Sequence, residues 1–286
     1  FRHRAAVAAA RLNSQPMGFY APAQMGRDAI EHGVEVRPVD VNRSRWDCTL
    51  EVGKRDTKIC LRLGMRQVKG MREDDADAIA AAIERHGPFE SIRSLWRTSG
   101  VSATALKRLA NADAFGSMGL DRQAALWHVR ALHDEDLPLF DRRDAARNVN
   151  DDTEEKHVPL PGVSEPRKVV QDYRTVGLSL REHPVSFLRQ SLADRRVISA
   201  ADLRDEARCP TGRQVAVAGI VLVRQRPGTA SGVIFMTIED ETGVANLIVR
   251  PKVFERYRKA ARHGVVIIAH GKVERDGEVV HILAQR

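Results

Sequence analysis

The chain has 286 residues, 43% of them hydrophobic and 29% charged, with 46 Lys and Arg against 38 Asp and Glu. That length accommodates two or three domains, each able to bury a core, and a pI near 9.7 with only 5% aromatic residues favours a polyanionic partner held through its backbone charge. Cys48, Cys60 and Cys209, an odd number without CxxC spacing, suggest neither a disulfide framework nor a zinc site, and no apolar run reaches the ~18 residues of a membrane span. A reducing cytoplasm is the expected setting, with no membrane partner. No signal peptide is read at the start, which falls inside a helical pattern at Phe1, as in a fragment.

Residues 1–12 are Ala-rich and predict a helix, stopped by Asn13-Ser14-Gln15-Pro16. Pro22 opens a second helix with Met25, Ala29 and Ile30 inward, closed by Gly33. Short strands follow at 34–36 and at 46–52 against 58–63, joined by a turn over 53–56, so that 1–61 reads as an α+β piece. From Gly64 the spacing predicts a helix-hairpin-helix: a helix to Val68, a hairpin at Lys69-Gly70-Met71, and a new helix from Glu73 or Asp74. Gly70 would let a backbone phosphate approach, with Arg66, Lys69 and Arg72 as candidate cations. A plain αα-hairpin reads almost identically, and the acids Glu73, Asp74 and Asp75 oppose close approach of DNA at that turn. A second helical pair spans 89–118, with breaks at Gly100 and Gly116, and a helix over 121–133 is expected to bury Leu126, Trp127 and Val129. The module 62–133 therefore reads as a tandem that grips duplex backbone.

Residues 134–168 form an acidic, Pro-containing linker. Within it, Leu137, Leu139 and Phe140 resemble a short partner-docking peptide, unless Leu139 and Phe140 pack back on the helices. Connecting helices over 169–210 lead to five β-rich runs at 215–223, 233–238, 244–249, 265–273 and 279–283, with a helix at 251–262 after the third. That order predicts a five-stranded OB-type barrel over 211–286, a fold that holds single-stranded nucleic acid. The fold class is thus α+β multidomain: a tandem helix-hairpin-helix module, then the barrel.

Residues 213–286 carry twelve Lys or Arg against seven acids, so a surplus of five lies in about a quarter of a chain whose total is +8. The ligand of such a barrel crosses strands 2 and 3 between the loops that here read QRPGTASG (225–232) and RDG (275–277). Arg224, Arg226 and Arg275 sit at those lips, and Arg250, Lys252 and Lys272 complete the candidate DNA contacts. Phe235 is either a base-stacking platform or part of the barrel core; apolar neighbours on both parities favour the core. Arg256, Arg258, Lys259 and Arg262 read equally as phosphate contacts or as a solvated helix face.

Five runs carry a resemblance along nearly the whole chain: LNSQPMGFYAP (12–22), GVEVRPVDVNRS (33–44), LRLGMRQVKGM (61–71), VGLSLREHP (176–184) and RPGTASGVIFMTIEDETG (226–243). They resemble the C-terminal part of the bacterial C-family DNA polymerases, in their error-prone branch related to the polymerase III alpha subunit. The resemblance implies that 1–61 ends the fingers region, that 62–133 binds duplex, and that 211–286 is the OB domain. It also implies that the palm, whose carboxylates hold two Mg2+, belongs to the parent enzyme outside this chain, leaving no catalytic or metal-binding residue here and no activity of its own. The acid-rich places, around Asp74, Asp151 and Asp240, read instead as a helix start, a linker and a turn, and no GxxxxGK[ST], HExxH or nucleophile elbow exists. Replicative relatives bind a sliding clamp through a QLxLF-type pentapeptide, and here Asp136 stands where Gln would. An ionised Asp only accepts hydrogen bonds, so clamp binding is expected to be weak or to go through an adaptor protein. The expected role is to hold duplex and single-stranded template in damage-tolerant synthesis and repair. A non-enzymatic repair accessory or scaffold, using its barrel for DNA or protein, is the alternative.

Overall fold

The structure, a computed structural model, describes residues 3–16, 21–53, 59–132, 162–277 and 279–286. The chain divides into Phe1–Leu180 and Arg181–Arg286.

In the first unit the Ala run forms α1 (Arg4–Asn13), and Pro22 at the first helical position starts α2 (Pro22–Glu31). The buried face of α2 is Met25, Gly26 and Ala29, whereas Ile30, expected inside, is 45% exposed. Its place against Leu178 is taken by Gly26, whose added Cβ would stand 3.9 Å from the leucine. Strands β1 (Val36–Arg37), β2 (Thr49–Val52) and β3 (Ile59–Arg62) form a sheet in the order β1-β3-β2, with β1 parallel and β2 antiparallel to β3. Their expected connection over 54–56 lies outside the described residues. Asn13 fastens α1 to this sheet by donating to the Cys48 carbonyl (3.0 Å) and accepting from its N–H (2.8 Å). All three cysteines are free and buried.

A single 3-10 turn (Met65–Gln67) stands where a helix was expected before the first hairpin, because Gly64 is pinned against the Trp46 and Asp47 backbone and the chain turns at once. Four helices follow: α3 (Glu73–His86), α4 (Ile92–Ser99), α5 (Ala103–Asn111) and α6 (Arg122–Arg130). Three of them are entered in the same way. A glycine with positive φ (Gly70 79°, Gly100 69°, Gly119 71°) is followed by an inward apolar residue (Met71, Val101, Leu120) and then by the N-cap residue (Arg72, Ser102, Asp121). Ser102 and Asp121 accept from the third helical N–H at 3.2 and 2.8 Å; Arg72 cannot. The stripe Arg122, Ala125, Val129 faces inward on α6 and leaves Trp127, expected to be buried, on the opposite side and 50% exposed. Helix α7 (Glu165–Thr175) closes the unit, with Asp172 and Gln171 accepting from the buried Arg122 guanidinium at 2.5 and 2.7 Å. Leu61, Leu63, Met65, Ile79, Leu95, Leu106, Leu109 and Phe115 are at most 1% exposed and belong to one core, each stabilising the fold by roughly 1.5–3 kcal/mol before entropy is charged.

The second unit begins before the barrel. Residues 181–204 carry α8 (Arg189–Asp194), β4 (Val197–Ile198) and α9 (Ala200–Arg204), so the stretch expected to be one connector, 169–210, is divided between the units. Strands β5 (Gln214–Gln225), β6 (Ile234–Asp240), β7 (Gly243–Val249), β8 (Val266–Asp276) and β9 (Val279–Ala284) pair in the order β5-β6-β7-β9-β8, and β8 returns to β5 to close the barrel. Alternation puts Val215, Val217, Ile234, Met236, Ile238, Leu247, Ala269, Val273 and Ile282 inside. The expected single helix at 251–262 is two, α10 (Pro251–Arg256) and α11 (Arg258–His263), because the backbone of Tyr257 (φ −115°, ψ 30°) leaves helical geometry.

Candidate nucleic-acid interface

The barrel's outward positions are set by strand register. Phe235 on β6 lies opposite Ile248 on β7, which lies opposite Leu283 on β9, which lies opposite Lys272 on β8. The next row is Thr237, Asn246 and His281, and the Thr237 hydroxyl lies 3.0 Å from the Asn246 amide oxygen. Phe235 is 41% exposed, which corrects its expected place in the core. Polar Thr237 and Glu239 share its parity, while Ile234, Met236 and Ile238 face inward. That alternation was the signal marking both its face and Asn246.

At the Phe235 end of this face, Arg226 folds over Gly232 and towards the start of α10: a Cβ on Gly232 would lie 3.3 Å from Arg226 Nη2 and 3.4 Å from Pro251. Arg250, exposed, joins β7 to α10, and the exposed Lys252 follows it. The other two lip arginines are occupied. Arg224 donates to the Ala261 carbonyl (2.9 Å) and to that of Gly264, tying β5 to the end of α11. Arg275 donates to the carbonyls of Leu203 and Cys209, each at 3.0 Å, behind α9. Helix ends leave such carbonyls without internal donors, so an arginine within reach is drawn to them. Arg224 and Arg275 thus fasten the barrel and do not stand as open cations at its rim. Of the candidate contacts on the barrel, Phe235, Arg226, Arg250 and Lys252 lie on or directly beside β6, β7 and the start of α10, with Lys272 further round the same cross-strand row.

In the helical module Arg66 pairs with Asp47 (2.5 Å), its guanidinium 5.9 Å from the Trp46 ring. Lys69 Nζ donates to the Tyr173 carbonyl (3.2 Å), and Arg72, 70% exposed, meets Asp74 at 3.3 Å. Gly70 is covered by a residue absent from the sequence-based set: a Cβ there would lie 3.2 Å from Nε of Arg108, on α5. Nothing in the linear pattern joins positions 70 and 108; the helical packing does. The docking residues Leu137, Leu139 and Phe140 lie outside the described residues. Among those described, no group of three or more His, Cys, Asp or Glu could hold a metal ion, and no helix is long and apolar enough to cross a membrane.

Residues 33–125 match the family described as helix-hairpin-helix motif, and residues 215–286 the OB-fold nucleic acid binding domain. The chain is 52% identical over 283 residues to error-prone DNA polymerase 1 of Agrobacterium fabrum, covering 96% of this chain and 26% of that protein. It is 50% identical to error-prone DNA polymerase 2 of Rhizobium meliloti (97% and 25%) and 46% identical to the error-prone DNA polymerase of Ruegeria pomeroyi (99% and 25%). Among solved structures, asparaginyl-tRNA synthetase from Pyrococcus horikoshii matches 32% of the chain and 21% of its own at 25% identity, with a TM-score of 0.27 that carries no weight. The chain spans about a quarter of the length of the curated relatives it matches. At about half identity along nearly all of its length, the chain is similar to about a quarter of the length of the error-prone DNA polymerases, and it carries a helix-hairpin-helix motif and an OB-fold nucleic acid binding domain.

Proposed function

We propose that this chain is the DNA-holding part of an error-prone DNA polymerase used in damage-tolerant synthesis and repair, and that its barrel takes single-stranded template across β6 and β7. The observation that carries this reading is the exposed Phe235 beside Ile248, with Arg226 over Gly232 and the exposed Arg250 and Lys252 directly following β7. An aromatic face supports a base of any identity, and cations at its border neutralise phosphates. The helical module holds duplex, with Gly70, Arg72 and Arg108 as its nearest candidates. Nucleotidyl transfer, with its two Mg2+, belongs to a palm outside these 286 residues, so the chain alone extends no primer. Contact with a sliding clamp is weak or goes through an adaptor. Fluorescence anisotropy with a labelled single strand at several salt concentrations tests the barrel's role. Log K falls with log salt by about 0.7 per neutralised phosphate, and Phe235→Ala weakens binding by about 1–3 kcal/mol. A salt-independent affinity, or an unchanged one in the variant, would instead make the barrel a protein-binding scaffold.

A further inference from the structure

Beyond the strand face, α10 and α11 enclose a hollow of about 550 Å3 lined by Arg256, Tyr257, Arg258, Lys259 and His263. The Arg256 guanidinium lies 5.5 Å from the centre of the Tyr257 ring. Arg256, Arg258, Lys259 and His263 are exposed, and among the described residues no carboxylate pairs with any of them. Other arginines of the same unit are occupied, Arg189 by Asp240 and Glu241, Arg208 by Asp202 and Asp205, Arg275 by carbonyls. From Arg250 to His263 the chain carries six Lys or Arg and one acid, Glu255. Such a cluster repels itself when empty, and the repulsion is relieved by a polyanion.

We propose that this hollow is a second binding site for the phosphodiester backbone, taking the part of a single strand that runs on from β6 and β7. The proposal rests on the strand-face reading for its ligand. Continuity favours nucleic acid over an acidic protein: the chain leaves β7 through Arg250 into α10, which carries Lys252 and Arg256, so the elements that line the hollow follow directly on the strand that bears the platform's partner Ile248. Its chemistry agrees. Arginine forks match phosphate oxygens, and Tyr257 offers a ring on which a base or sugar can rest. The effect is to lengthen the footprint within the range of about 4–16 nucleotides that one OB fold covers.

The test uses the 286-residue chain and a ladder of oligo-dT lengths, read by anisotropy at several salt concentrations. The double substitution Arg258→Gln with Lys259→Gln is expected to leave the shortest bound oligonucleotides unaffected. It weakens the longer ones several-fold and lowers their salt slope by about 1.4, two contacts at about 0.7 each. Each single substitution gives about half that change and serves in place of the double should the latter melt at a lower temperature. Phe235→Ala weakens every length alike, so loss of the strand-face reading is told apart from loss of this one. Unchanged affinity and slope at all lengths would overturn the site. So would a double variant that loses binding to polyglutamate and keeps the long oligonucleotides, since the occupant would then be an acidic protein.

Discussion

Glu51 lies between two arginines, accepting from Arg62 Nε and Nη2 at 2.8 and 2.9 Å and from Arg37 Nη1 at 2.7 Å. The Arg62 bonds hold its carboxyl below the usual carboxylate range, against a smaller opposing push from burial, and Arg37 adds to them. A depressed folded-state value means stability that is fully present above the ordinary carboxylate range and is lost as pH falls through the lowered value. Glu51→Gln is therefore expected to cost roughly 3 kcal/mol at pH 7, leaving the 7%-exposed Arg62 side chain underpaired, and progressively less as pH falls through the lowered carboxyl value. Urea unfolding across that pH range measures both. At this scale the sequence was legible wherever polarity alternates. Thr237 and Glu239 mark the outward parity of β6, and Phe235 was misplaced only because its immediate neighbours are apolar. Arg108 was illegible in any local window, since its meeting with Gly70 is made by packing between distant helices.

Strand β5 changes partners along its length. Residues 214–220 pair with β8, residues 220–225 pair with β6, and a bulge falls between Val221 and Val223. Gly219 stands at that exchange, where an added Cβ would lie 2.7 Å from the carbonyl oxygen and 2.9 Å from the nitrogen of Glu239. Backbone cannot yield as a side-chain tip does, so Gly219→Ala is expected to force β6 outward and to cost about 1–3 kcal/mol, read as a lower Tm by circular dichroism. An OB order of strands and helix was readable from β-rich runs and punctuation, and all five strands fall within a few residues of their expected bounds. The helix break at Tyr257 and the 3-10 turn before α3 were not readable. The first is a single backbone excursion, and the second depends on the backbone against which Gly64 is pinned. The loops expected as the barrel's lips do join β5 to β6 and β8 to β9, but Arg224 and Arg275 are near helix ends whose free carbonyls claim them first.

Composition shifts set the barrel's start at residue 211, but the second unit begins at Arg181. What precedes β5 has its own stake in the barrel. Val185, Leu192 and Val197 pack on Ala216 and Ala218, the Asp240 carboxylate accepts from both Arg189 and the Ala200 N–H, and Arg275 reaches back to Leu203. Residues 181–286 made alone are expected to melt cooperatively, whereas residues 211–286 alone, with that outer face of β5 bare, are expected to unfold at a lower temperature or to aggregate. Differential scanning calorimetry of the two pieces decides between the boundaries. The early part of the unit was unreadable as barrel because its contribution is two residues of strand and a handful of side chains, not a pattern. That same short strand governs what can attach to the sheet. β8 joins β5 along residues 214–220, and β4 lies against residues 216–217 of β5, a stretch that β6 does not reach, so along that stretch both edges of β5 are already taken. A foreign strand finds no free edge along that stretch of β5, and whatever docks there is recognised through side chains.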